Sequence, residues 1–302
     1  MPNLILTKIC NLECSYCFAW NKKQTIIKNS QIEISTVIFL YYLKHLKYNN
    51  ENKVRLLWWE PLLHSFIRDY ITLSLKWGFE ILIFSNLALS DIYIKKIFDN
   101  LPQYYYSKIT ININLNPFDF YKNRELEFLK INAMFLYQKG IKIIISTMLD
   151  YNLDFDYVFW IANYIWIKDV KFKPLNWKQF NLITSSKKYW DFTYSIIKKY
   201  SKDYKISFSC WLSSQIFTQE EIFSIKEIYW LNLKYWCFAN WWKYDIDINW
   251  DILRCFPLMH LYDWKNINIK NLYFSKFDNV INKLRLIYNT DNNTWNCLST
   301  KL

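Results

Sequence analysis

Two rhythms of apolar positions alternate along the first two-thirds of the chain. Short apolar runs rich in Ile, Val and Phe, at Asn3–Ile9, Val54–Leu57, Ile81–Phe84, Lys108–Asn114, Lys142–Thr147 and Val170–Phe172, predict strands. Between them, Ser35–Leu46, Ser65–Lys76, Ser90–Leu101, Arg124–Lys139 and Asp156–Ile165 carry apolar residues at helical spacing and predict helices. Strand–helix alternation with short connections predicts an α/β fold, a parallel sheet covered by helices. Six such units fit an open or incomplete barrel, a partial (β/α)6 TIM-like arrangement whose chemistry lies beyond the carboxyl ends of the strands. After a further helix around Lys187–Tyr200 the pattern changes. Lys205–Ser209 reads as a strand ending at Cys210, and Tyr244–Asn249 with Asp251–Arg254 reads as a hairpin turning at Asn249-Trp250. A soft boundary falls near Ser201.

Composition changes this picture at one point, the turns. The chain of 302 residues has 2 Gly and 16 Trp, where turns and helix stops ordinarily call for the residue without a Cβ. The tryptophans stand in glycine's places. Asn176-Trp177, Asn240-Trp241, Asn249-Trp250 and Asp263-Trp264 each put Trp behind an Asx, in the hairpin slot that wants positive φ. Trp77-Gly78-Phe79 and Lys139-Gly140-Ile141 link a helix to a strand through Gly, and Ile165-Trp166-Ile167 has the same setting with Trp. Taken together the two residue types make up about 6% of the chain, an ordinary glycine content. The pattern fits a gene in which UGA encodes glycine and has been translated here as tryptophan. Trp160 and Trp190, within helical stretches, fit that reading least.

The remaining composition narrows the class. Hydrophobic residues make up 52% of the chain, enough for a real core. No apolar run approaches the ~20 residues of a membrane-spanning helix, and Met1 to Cys10 lacks the zones of a signal peptide. The expected address is the cytosol. The net charge of +12 is spread among Lys residues without a basic block, so no dedicated nucleic-acid patch is evident.

Seven Cys in such a chain point to metal or redox chemistry rather than disulfides. Cys10, Cys14 and Cys17 form a CxxxCxxC loop just past the first strand. Three thiolates on one loop can hold three irons of a [4Fe–4S] cluster and leave the fourth open to a ligand. Zinc would recruit a fourth nearby His or Cys, and none lies close in sequence.

With Tyr16 at the aromatic position of CxxxCxΦC, the chain resembles the radical S-adenosylmethionine (SAM) superfamily. Leu56-Leu57-Trp58-Trp59-Glu60-Pro61 supports that resemblance, because with Trp58 and Trp59 read as Gly it becomes the family's GGEP motif. The resemblance implies that this stretch binds the amino group of the SAM methionine moiety, where two indoles would fill the space. Ser85-Asn86 matches the family's Thr-Asn-Gly position in part, with Leu87 third. Asn112 and Asn114 on the fourth strand and Ser146 on the fifth could reach ribose or carboxylate oxygens, and each reads equally as an ordinary polar strand-end residue. His64 reads as a helix cap without a catalytic role.

In the last third, Cys237 and Cys255 flank Trp250, and Gly there would give C-x12-G-x4-C, similar to the opening of SPASM and twitch extensions. With Cys210 and Cys297 the set could ligate one auxiliary [4Fe–4S] cluster. The resemblance thus implies a core at residues 1–203 and an auxiliary-cluster region at 204–302. It further implies reductive cleavage of SAM to a 5′-deoxyadenosyl radical that abstracts hydrogen from a peptide, protein or small-molecule substrate. A reductant such as flavodoxin or ferredoxin would supply the electron. A cofactor-biosynthetic enzyme acting on a small molecule or nucleotide, a non-catalytic iron–sulfur protein and a zinc protein remain alternatives.

Overall fold

The computed structural model describes residues 3–14, 32–57, 59–122, 124–149, 153–174, 186–208, 245–246, 251–253 and 267–268. The strands are β1 (Asn3–Ile5), β2 (Lys53–Leu57), β3 (Glu80–Ser85), β4 (Ile109–Asn114), β5 (Lys142–Leu149), β6 (Asp169–Pro174), β7 (Lys205–Phe208), β8 (Asp245–Ile246), β9 (Asp251–Leu253) and β10 (Ile267–Asn268). The α-helices are α1 (Thr36–Tyr48), α2 (Ile67–Lys76), α3 (Asp91–Phe98), α4 (Glu125–Gln138), α5 (Phe155–Tyr164) and α6 (Ser186–Tyr200). Strands β1 to β7 pair in sequence order, all parallel, and among the described residues one α-helix lies between each successive pair. Six βα units followed by a seventh strand make the expected partial barrel. Its row stays open among the described residues, with β7 at one edge. At the other, β8 adds in parallel to β1, and β9 and β10 follow antiparallel. β8 and β9 pair antiparallel as the two arms of the expected hairpin, with Ile246 opposite Ile252, a register centred on Asn249 rather than between Asn249 and Trp250; the turn itself lies outside the described residues.

Alternation within a strand sends successive side chains to opposite faces. In β4, Ile109, Ile111 and Ile113 are fully buried on one face, while Thr110, Asn112 and Asn114 take the other. The helices pack through similar apolar faces, and Phe39 of α1 stacks on Tyr70 of α2 with ring centroids 4.1 Å apart. Strand β1 is shorter than the apolar run predicts. Beyond Ile5 the backbone turns to a different partner: Lys8 N donates to Ile32 O and Ile34 N to Leu6 O. That pairing is non-local and leaves no trace in the periodicity of residues 3–9.

Four helix ends share one hydrogen-bond pattern. At α2, Gly78 N bonds Leu75 O and Phe79 N reaches back to Ser74 O; at α4, Gly140 N bonds Tyr137 O and Ile141 N bonds Leu136 O. At α5 the pair is Trp166 N to Asn163 O and Ile167 N to Ala162 O, and at α1 it is Asn50 N to Lys47 O and Glu51 N to Leu46 O. This is the Schellman closure, which needs a left-handed residue after the helix. The φ values are +86° at Gly78 and Gly140, +52° at Asn50 and +59° at Trp166. Gly and Asn suit that conformation, and a bulky L-residue does not. Trp166, 75% exposed, gains little packing in return.

Candidate active site

The loop after β1 carries Cys10 and Cys14, both partly exposed and neither in a disulfide. Tyr16 and Cys17, completing the motif, lie outside the described residues, as do Cys210, Cys237, Cys255 and Cys297. Among the described residues no group of three or more His, Cys, Asp and Glu is gathered as a metal site.

Glu60 joins the ends of three strands. Its backbone N–H donates to Ile9 O at 3.0 Å, fastening the end of β2 to the cysteine loop. Its Oε1 accepts from Leu62 N at 3.1 Å, capping the start of the 3-10 turn Pro61–Leu63, and its Oε2 accepts from Asn86 N at 2.7 Å, just past β3. The side chain is fully buried, and desolvation pushes its pKa up to about 7 against the lowering pull of these N–H groups and the Ser85 hydroxyl. A buried carboxylate so placed is stabilised in its charged form by a cation brought to it. An amino group of a bound ligand has the matching chemistry.

Asn86 connects this carboxylate to the cysteines. Its Nδ2 donates to Asn11 Oδ1 at 2.9 Å and to Cys10 Sγ at 3.9 Å, while its Oδ1 accepts from Ala88 N at 2.8 Å. Asn11 returns the contact by donating Nδ2 to Ala88 O at 2.9 Å. The turn that places Asn86 has Leu87 at φ +52°, a conformation that glycine adopts most readily. Asn132, buried in α4, fastens that turn by donating to Leu87 O at 2.9 Å and Leu89 O at 2.7 Å. Sequence reading missed Asn132; a polar residue among the apolar positions Leu129, Ala133 and Leu136 was the available signal.

Trp59 stands immediately before Glu60 at φ +45° and packs half-buried on the core. Trp58 lies outside the described residues. On the polar face of the sheet, Asn114 of β4 is in register with Ser146 of β5, and Ser146 with Lys171 of β6. Asn112 Oδ1 and Ser146 Oγ are buried without a hydrogen-bond partner, as are Thr147 Oγ1 and Asn132 Oδ1. Lys173, which sequence reading also missed, donates to Asn114 Oδ1 and sits over the Phe84 ring, 5.6 Å from its centroid. It reaches from β6 across β5 to β3 and β4. His64 is fully buried, accepts from Phe66 N at Nδ1 and faces Ile34 O with Nε2. Phe66 N–H thereby fixes the tautomer with its proton on Nε2, and burial holds the pKa down. The residue anchors the start of α2, a structural role.

Neither a family model nor a curated protein matches the sequence. Solved structures do match the fold. SuiB of Streptococcus suis bound to S-adenosylmethionine superposes with a TM-score of 0.64 at 17% identity, over 94% of this chain and 67% of that one. SuiB bound to precursor peptide SuiA gives 0.64 at 16% identity, over the same shares. Native anSMEcpe with bound AdoMet gives 0.65 at 14% identity, over 100% of this chain and 84% of that one. The open parallel row of strands β1 to β7 with its helices is the fold shared with these structures, and the chain has that α/β fold, a partial (β/α)6 barrel.

Proposed function

We propose that the chain is a radical SAM enzyme that abstracts hydrogen from a peptide or protein side chain. The observation that carries this reading is the hydrogen-bonded path from Cys10 through Asn86 to Glu60 at the mouth of this fold. It joins the loop that would ligate iron to the carboxylate that would take the SAM amino group. Both neighbours have been seen with peptides, SuiB with precursor peptide SuiA and anSMEcpe with the Kp18Cys peptide as well as AdoMet, which favours a peptide substrate here.

In this reading Cys10, Cys14 and Cys17 hold a [4Fe–4S] cluster, and Cys210, Cys237, Cys255 and Cys297 hold one auxiliary cluster in a region spanning 204–302 beside the core at 1–203. When bound, the front cluster and SAM supply homolytic cleavage to a 5′-deoxyadenosyl radical, with the electron from a reductant such as flavodoxin or ferredoxin. The chain's own residues bind and orient. Glu60 accepts the ligand's ammonium, and Asn112, Asn114 and Ser146 offer polar atoms to ribose and carboxylate. Leu12, Leu87 and Ala88, all buried, keep water from the loop junction.

Glycine at 58 and 59 belongs to the proposal, because the backbone itself must approach the ligand there. The gene's codons test it directly: UGA at these positions supports it, and UGG contradicts it. Anaerobic reconstitution tests the cofactor set by iron content, with about eight irons per chain expected for two clusters and about four if the auxiliary one is absent. Release of 5′-deoxyadenosine from SAM under reductant tests the reaction.

A further inference from the structure

The two ends of Asn86 make different bonds, and their directions are fixed. Its Oδ1 accepts from Ala88 N, a backbone donor, so its Nδ2 is the end that faces the cysteine loop. Asn11 is fixed likewise: its Nδ2 is spent on Ala88 O, so it presents Oδ1 to Asn86. The amide hydrogens of Asn86 therefore point at Asn11 Oδ1 and Cys10 Sγ, while its backbone N–H points at Glu60 Oε2. Asn86 is 5% exposed, and Asn132 clamps the turn behind it, so the amide has little freedom to turn away.

We infer that Asn86 is a positioning residue that raises the reduction potential of the front cluster while fixing Glu60 against the cysteine loop. The inference rests on Cys10 being a cluster ligand, as proposed above. One-electron reduction by an external low-potential carrier adds negative charge that is shared by the ligand sulfurs. An N–H donor aimed at such a sulfur stabilises the reduced state more than the oxidised one, and hydrogen bonds to the sulfurs are among the terms that set cluster potentials. The long contact of 3.9 Å shortens in effect as the sulfur gains charge, because charge-assisted bonds are the stronger ones. The backbone bond to Glu60 serves the other side of the same residue. A displacement of Asn86 therefore moves the carboxylate and the thiolate together.

The test is an EPR-monitored redox titration of the anaerobically reconstituted full chain without SAM, so that neither SAM binding nor the residues at 58 and 59 enter. The variants are Asn86→Ala, which removes the amide, and Asn86→Asp, which keeps the acceptor for Ala88 N and the backbone bond to Glu60. With Cys210, Cys237 and Cys255 replaced by Ala in every protein compared, the signal comes from the front cluster alone. At equal iron loading both variants are expected to titrate at a more negative potential than the parent, Asn86→Asp the more so because it adds negative charge. Unchanged midpoints at equal loading overturn the inference while leaving the proposed function standing, since SAM cleavage by the chain carrying Trp58→Gly and Trp59→Gly is read separately. A parent that assembles no front cluster overturns the proposed function first, and this inference with it.

Discussion

At the scale of single residues, Trp166 and Glu60 carry the sharpest consequences. Trp166 pays for a left-handed backbone with a side chain that is mostly in water. Trp166→Gly is expected to stabilise the chain by about 1 kcal/mol, read as a higher urea midpoint at unchanged slope. Trp160→Gly, within the body of α5, is expected to cost about 1 kcal/mol by the same measurement. The contrast separates a position that wants glycine from a general tolerance of it. Glu60 predicts a pH dependence. Its ordinary pKa of 4.5 rises to about 7 in the fold, so between those values the folded chain holds a proton that the unfolded chain has lost. Stability therefore falls as pH rises from 4.5 to about 7 and stays at the lower level above it, a contribution of about 3 kcal/mol. Urea midpoints across that range should slope downward in the parent and flatten in Glu60→Gln. An equal slope in both would assign the dependence to other groups.

At the scale of elements, helix ends were legible and the fastening of loops was not. Gly78 and Gly140 announce their turns, and Trp166 was readable by its matching place between a helix and a strand. Leu87 was marked only indirectly, by standing third in the Thr-Asn-Gly match where Gly is expected; its own apolar side chain gives no sign of positive φ. The early departure of β1 from the sheet was equally hidden, since its partner lies at residues 32–34. Asn132 shows what such non-local bonds do. It is one side chain in the middle of α4 that holds two carbonyls of the turn after β3. Asn132→Ala leaves those buried acceptors without their donor and is expected to cost about 1–3 kcal/mol. Its second expected effect is faster amide exchange at Ala88, whose N–H is held by Asn86. Unchanged exchange there would show that the turn stands without the clamp.

At the scale of the whole molecule, strand order followed from periodicity because each βα unit is local in sequence and parallel neighbours need a crossover between them. Candidate site residues were nameable from the sequence as well, through the cysteine spacing and Glu60-Pro61. Their connection was not. Glu60, Asn86 and Cys10 come from three separate strand ends, and only the sheet brings them within hydrogen-bond reach. No helix among the described residues is long and apolar enough to cross a membrane. The most direct measurement compares two anaerobically reconstituted proteins, the chain as written and one carrying Trp58→Gly and Trp59→Gly, for 5′-deoxyadenosine released from SAM under dithionite. The account predicts release by the doubly substituted chain and little or none by the other at equal iron loading. A fully loaded front cluster in the substituted chain with no 5′-deoxyadenosine above the enzyme-free control would contradict it.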